Sequence, residues 1–402
     1  MMFDKETSFK VTSIGKIPED WEIVRLGIIL TLKNGQRPKI LENEYIPVFG
    51  ANGIMGYTSE LLVDNDFTIV IGRVGASGEV HLGKGKIWVS DNAIYSENYD
   101  KLKVNMPYLL YLLKSKKLKQ FASKTTHPII TQTFLKNFLI QLPEPKEQRG
   151  IVEVLSVVDL AIEKVDEVIA KTERLKKGLM QQLLTKGIRR KEFKYSKELG
   201  CEISKEWQVA KTKEITLEHK QGFYTNQSYS TTGIRLVRIT DLLNPRLSYE
   251  TMPYLDVDKK TVEQFGVSVG DFLIARSGAI GRYGIVTEDV PCVFGSYIIR
   301  FRFDPSRVDN RFFGYLYESN YMVGQLLRLK HGATNININA ENIKSIKIPL
   351  PPLLEQQEIV EILSIVDRKL ELERKEKAKV ERVKRGLMDL LLAGKVRVKV
   401  VD

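Results

Sequence analysis

The chain has little of what most enzymes and secreted proteins depend on. Its 402 residues include two cysteines, Cys201 and Cys292, and four histidines, His81, His127, His219 and His331. Two cysteines make no disulfide framework, and no Cys/His pair stands at zinc-ligand spacing, so neither a metal nor any other cofactor is expected, and the setting is reducing and cytoplasmic. The scattered histidines give no Ser/His/Asp or Cys/His grouping by spacing. No stretch approaches the roughly 18 uninterrupted apolar residues that a membrane span needs, and residues 1–10 are charged, without the apolar core of a leader. Neither secretion nor a membrane partner is expected.

What is present is enough apolar material for real cores, 43% of residues, in a length that suits two or three domains. Lys and Arg total 62 against 50 Asp and Glu, for a formal net charge of +12. That balance favours polyanionic partners and by itself leaves DNA, RNA and anionic lipid open.

The chain is written twice. Glu147-Gln148 followed by the segment 151–159 (IVEVLSVVD) recurs as Glu355-Gln356 followed by 359–367 (IVEILSIVD), and the same offset carries Gly178-Leu179-Met180 onto Gly386-Leu387-Met388. Earlier stretches repeat more loosely: Ile17 and Trp21 match Ile203 and Trp207, Arg73-Val74-Gly75-Ala76-Ser77-Gly78 matches Arg276-Ser277-Gly278-Ala279-Ile280-Gly281, and Pro143/Pro145 match Pro349/Pro351. The second copy carries extra loop residues. The order is globular block, long helix, globular block, long helix.

Ile151, Leu155, Val158, Ile162, Val165, Ile169 and Thr172 step by alternating four and three, the seam of a coiled coil, with Leu175, Leu179 and Leu183 extending it. The second run keeps Ile359, Leu363, Val366, Leu370, Val380, Leu387 and Leu391, while Glu373 and Lys377 on its seam read as a register device or a solvent gap. Each helix would be roughly 55 to 60 Å long. One such run would suit a generic dimerisation coiled coil. Two equivalent runs can pair antiparallel within the chain and hold two blocks at a fixed separation.

Each block reads as mixed α and β. Residues 67–71 and 272–275 are short buried strands opening onto glycine turns, and Tyr297, Ile299, Phe301 and Phe303 alternate with Arg300 and Arg302 as a half-buried strand. Asn105 caps and Pro107 opens a helix whose leucines at 109, 110, 112 and 113 face a core.

The glycines near Arg73 and Arg276 have neither dinucleotide-binding nor P-loop spacing. A tight strand-to-strand turn accounts for them, but not for the arginines and hydroxyls, which suit guanine edges or phosphate. Asn244-Pro245-Arg246 lacks the second proline and the aromatic of an amino-methyltransferase signature and reads as a turn. What remains are polar loops able to read bases: Lys33, Gln36, Arg37, Arg73, Ser77, His127, Thr131 and Gln132 in the first block, and Gln221, Tyr224, Asn226, Arg276, Ser277, Arg282, His331, Thr334 and Asn335 in the second.

Together these features resemble the specificity (S) subunits of type I restriction-modification systems, over nearly the whole chain. The resemblance is carried by the Ile-x-x-x-Trp openings at Trp21 and Trp207, the Pro-x-Pro stretches leading to Glu147-Gln148 and Glu355-Gln356, the Leu-Ser-x-Val-Asp segments and the Gly-Leu-Met helix ends. The family's Gly-Asp-Phe-Leu stretch stands in full at residues 270–273 with Arg276, Gly278 and Gly281. In the first copy Asn65 replaces the glycine, and two residues intervene before Arg73.

The resemblance implies an α+β chain with two similar mixed α/β target-recognition domains, at 1–146 and 189–354, separated by long helices at 147–188 and 355–402 that form an antiparallel coiled coil. It implies that each domain reads one half of a gapped duplex DNA site, that the helices act as a ruler and dock two methyltransferase subunits, that restriction/translocase subunits join them, and that the chain itself catalyses nothing. Two heads entering major grooves about one turn, 34 to 36 Å, apart fit such a spacer. A coiled-coil protein adaptor and an RNA-binding factor remain the other readings.

Overall fold

The computed structural model describes residues 2–123, 126, 128–188, 192–276, 281–328 and 338–399. Two long helices, Pro145–Lys186 and Leu353–Leu391, start where the prolines place them, one on Pro145 itself and one directly after Pro352. Contacts divide the chain into two units, Met1–Glu167 with Arg374–Asp402, and Val168–Glu373. Both divisions fall inside the long helices, so each unit holds one mixed block and a stretch of each helix.

Within each unit the helix stretches run antiparallel. In the first, Asp159 pairs with Lys384 and Asp166 with Lys377; in the second, Thr172 donates to Glu373 at 3.2 Å and Lys176 pairs with Asp367 at 2.7 Å. Ile151, Leu155, Ile359, Leu363, Val366 and Leu370 are buried, and Val158, Ile162, Val165, Ile169, Val380 and Leu387 half-buried. Leu175 is a correction to the expected seam: it is 54% exposed. The step of four from Thr172 puts Lys176 on the seam instead, followed by Leu179 and the buried Leu183. The charged seam positions Glu373 and Lys377 are each bonded to the facing helix, which specifies register at some expense of apolar burial.

The first block is built on a six-stranded sheet in the order Leu30–Asn34, Ala93–Tyr99, Val63–Gly72, Val80–Val89, Ile46–Gly50, Gly53–Thr58. All neighbours are antiparallel except Ile46–Gly50 with Val80–Val89. Ile69, Ile71, Val80 and Ile94 pack with Leu109, Leu112 and Leu113 of the helix Met106–Ser115, whose first turn is capped by Asn105. The second block has a four-stranded antiparallel sheet, Thr216–Gln221, Ile298–Phe303, Phe272–Ala275, Tyr283–Ile285, and a three-stranded one, Tyr254–Leu255, Ile234–Val237, Cys292–Phe294. Its 297–303 segment departs from the expected alternation. Arg300 is buried, its guanidinium bonded to Glu218 and the Gly266 carbonyl, while Tyr297 lies outside the strand and is 61% exposed.

The motifs that recur in the sequence are the bolts that join each block to its helices. The indole N–H of Trp21 donates to Glu147 at 3.0 Å, and that of Trp207 to Glu355 at 2.9 Å. Gln148, fully buried, accepts from the Asn105 N–H and donates to the Lys103 and Pro143 carbonyls. Gln356 does the same with the Asp309 N–H and the Arg307 and Pro351 carbonyls. The aspartate that ends each Leu-Ser-x-Val-Asp segment takes a tyrosine hydroxyl from the block and a lysine from the facing helix. These are Tyr111 and Lys384 on Asp159, and Tyr315 and Lys176 on Asp367. Burial and the aspartate both push each phenol well above its ordinary range, so the hydroxyl stays a donor.

In the first unit the chain's ends meet: Met2–Lys5 pairs antiparallel with Val396–Lys399. Arg397 binds Glu6 and Asp20 at 2.6 Å and Glu147 at 2.8 Å, and stacks over the Trp21 ring. The Ser8 N–H, the Arg397 guanidinium and the Thr7 N–H hold the Glu6 carboxyl at about 2, against an ordinary 4.5. A carboxyl depressed on folding adds stability above its unfolded pKa and loses it as pH falls toward the folded value. Urea midpoints of the first unit are therefore expected to drop between about pH 4.5 and pH 2, and Glu6→Gln to flatten that drop. An equally steep drop in the variant would contradict the assignment.

Candidate nucleic-acid interface

In each unit four loops meet through main-chain hydrogen bonds, and most of the proposed reading residues sit on them. In the first, the bend at 90–92 is the hub. Gly35 N–H donates to Ala93 O, Gln36 N–H to Val89 O, and Arg73 N–H to Asn92 O at 2.8 Å. The Arg73 carbonyl in turn accepts from Ile130 N–H at 3.1 Å. In the second, the bend at 295–297 takes the same place: Gly222 N–H donates to Ile298 O, Phe223 N–H to Phe294 O, Arg276 N–H to Tyr297 O at 2.8 Å, and Ile338 N–H to Arg276 O at 2.8 Å.

The crossing demands glycine at one point. A Cβ on Gly35 would lie 2.1 Å from the Ser90 carbonyl, and one on Gly222 would lie 2.2 Å from that of Gly295. Only a residue without a side chain lets the two main chains touch there. The glycine before Gln36-Arg37 and the glycine before Phe223-Tyr224 thus have one cause.

On this frame Gln36, Arg37 and Thr131 are exposed in the first unit, and Gln221, Tyr224, Asn226 and Arg282 in the second. Arg73 and Arg276 are half-buried, and Arg276 Nε is buried with no hydrogen-bond partner among the described residues. Asn244 braces the far side of the Arg276 loop, donating to Gly281 O and accepting from Tyr283 N–H, both at 2.8 Å. The Asn-Pro-Arg segment is accordingly a turn.

Four of the selected residues, Ser77, Thr131, Gln132 and Lys33, have structural work. Ser77 is 2% exposed, and its hydroxyl donates to the Arg73 and Pro128 carbonyls, which closes the glycine loop from inside. Gln132 donates to Leu32 O and so ties the helix Gln132–Asn137 to the sheet, while Thr131 caps that helix through Phe134 N–H. Lys33 pairs with Glu97. His127, Ser277, His331, Thr334 and Asn335 lie outside the described residues. Sequence reasoning missed the bends themselves, whose Ser-Asp-Asn and Gly-Ser-Tyr triplets look like ordinary turns.

The helices carry a second surface. Val157, Leu160 and Val383 in the first unit, and Leu175, Leu354, Ile365 and Leu372 in the second, are large apolar residues that point away from the seam and stand half or more exposed. Among the described residues no group of His, Cys, Asp and Glu is arranged to hold a metal, and no helix is long and apolar enough to cross a membrane.

Each mixed block is bolted to a stretch of both long helices and carries a polar loop cluster on one main-chain frame, the class of a modular α+β chain with two like units, and comparison with known proteins places it further. The profile described as the type I restriction modification DNA specificity domain matches residues 18–173 and again 204–382. The type I restriction enzyme MjaVIII specificity subunit of Methanocaldococcus jannaschii is 31% identical over 421 residues, covering 99% of this chain and 98% of that one. The putative MjaX specificity subunit of the same organism is 31% identical over 442 residues, covering 99% of each. Among solved structures, the type I S subunit from M. genitalium has the same fold at 17% identity, with a TM-score of 0.58 over 98% of this chain and 100% of that one. The chain belongs to the family of type I restriction-modification specificity subunits, the non-catalytic DNA-recognition components of those systems.

Proposed function

We propose that each unit reads one half of a bipartite, gapped duplex DNA site, and that the two long helices set the gap and dock two methyltransferase subunits, with restriction/translocase subunits joining that assembly. On this reading the units are two versions of one half-site reader. The observation that carries it is the loop cluster: one main-chain frame occurs in both units and presents different side chains. Gln36 and Arg37 stand where Phe223 and Tyr224 stand in the other, and Asn92 where Tyr297 does. Equal frames with unequal side chains suit two different half-sites read in the same manner.

The outward apolar residues of the helices support the docking role. They occupy the face that a further helix would cover, and burying a Val, Leu or Ile there contributes about 1.5 to 3 kcal/mol each. A solved relative, 17% identical, comes from work on complex assembly of the type I restriction-modification system.

Selection of this chain, with its methyltransferase subunit, on a randomised duplex library tests the reading. A motif of two defined halves around an unread gap of fixed length is expected, and selection of a single uninterrupted motif would contradict it. With a net charge of +12, binding should also weaken steeply with salt, the log–log slope steepening by about 0.9 for each phosphate neutralised. A flat salt response would favour a protein adaptor, and preference for single-stranded RNA over duplex DNA would favour an RNA-binding factor.

A further inference from the structure

We propose that the bends at 90–92 and 295–297 are a third reading loop in each unit, with Asp91 and Asn92 reading an amino-bearing base edge in one half-site and Tyr297 packing on a thymine methyl in the other. The inference rests on the half-site role proposed above and adds residues and base features that the recurring motifs do not contain.

Each bend is held through its main chain and, in the first, through the buried Ser90 hydroxyl, which accepts from Asn92 N–H, while the side chains of Asp91, Asn92 and Tyr297 are exposed. Ala93 N–H to Ser90 O closes the first bend and Ile298 N–H to Gly295 O the second, both at about the ordinary 2.9 to 3.0 Å. The carbonyls of Asn92 and Tyr297 hold the arginine-bearing loop, and the residues on either side hold the glycine-bearing loop. The frame therefore fixes the bend between the two loops that present Gln36 and Arg37 with Arg73, or Tyr224 with Arg276, whatever side chains the bend carries. Nothing in that hub requires Asp91, Asn92 or the Tyr297 ring.

The chemistry of those side chains decides what they meet. Asp91 and Asn92 are exposed, and no cation pairs with Asp91 among the described residues. A carboxylate is repelled by phosphate, whereas it accepts from the exocyclic amino group of cytosine, and a carboxamide pairs with adenine. The bend thus fits a base edge and does not fit the backbone. Tyr297 is 61% exposed and makes no ring-on-ring contact among the described residues, and its bend is joined to the loop of the 73% exposed Tyr224 by the bridge of Phe223 to Gly295. A bare aromatic at that place gains burial only when a ligand covers it, and the apolar feature of the major groove is the thymine methyl.

Deoxyuridine in place of thymine removes that methyl and nothing else. With the assembled methyltransferase complex on its selected site, one such replacement in the second half-site is expected to weaken binding roughly fourfold, the value of one buried methyl group. Tyr297→Ala should abolish that response and Tyr297→Phe should keep it. A response lost in Tyr297→Phe would place the hydroxyl on phosphate and overturn the assignment, as would a response that survives Tyr297→Ala. In the first half-site, Asp91→Ala and Asn92→Ala should relax base preference at one or two adjacent positions and leave the second half unchanged. Unaltered preference at every position would overturn that arm. Failure of the unmodified complex to select any gapped site would instead remove the half-site role itself, a result distinct from intact selection that ignores the bends.

Discussion

Trp21→Ala is expected to destabilise the first unit by about 3 to 5 kcal/mol, and Trp207→Ala the second by a similar amount. Each indole is essentially inaccessible, at 0% and 1% exposure, so truncation removes apolar burial and leaves a cavity in a core that relaxes only in part. It also deprives the first-turn glutamate of the long helix of its indole donor, and in the first unit that glutamate also holds Arg397. Hydrogen exchange checks this, since it reads the two units separately: protection should fall in the unit that carries the substitution and far less in the other. A loss below about 1 kcal/mol, the size of one ordinary hydrogen bond, would mean that the tryptophan does not anchor the block.

Arg276→Ala is expected to reduce discrimination in one half-site by about 1 to 3 kcal/mol, or about 5- to 150-fold, and to leave the other half untouched. The side chain leaves a main chain that is held on both sides of Arg276, its N–H by Tyr297 O and its carbonyl by Ile338 N–H. The loss is thus a lost contact rather than a collapsed loop. Binding to a panel of single-base variants of the selected site measures it, and Arg73→Ala should give the mirror result. An equal loss at both halves for either substitution would contradict two independent readers.

The structure explains which parts of the account were legible in the sequence. Trp21, Glu147, Gln148, Asp159 and their partners 186 to 208 positions later stand out because side-chain bonds between block and helix tolerate few replacements and need fixed spacing. The helix seam is legible because burial on a helix is periodic. The bends at 90–92 and 295–297 are not, since they work through main-chain groups that any residue carries. Pairing of Met2–Lys5 with Val396–Lys399 joins the chain's two ends and leaves no local pattern to read. Ser77 and Gln132 have the chemistry of base readers, and only the folded neighbourhood shows the Pro128 and Leu32 carbonyls that take their hydrogen bonds.

The central claim, one half-site per unit, is tested most directly by co-expressing the chain with its methyltransferase subunit in a host without DNA methylation and sequencing the modified positions. One two-part motif with a gap of constant length is expected, and, when the 189–354 block is exchanged for that of a relative with a different site, a motif in which one half changes and the other half and the methylated base within it persist. A motif that changes in both halves, or one that does not change at all, would contradict it.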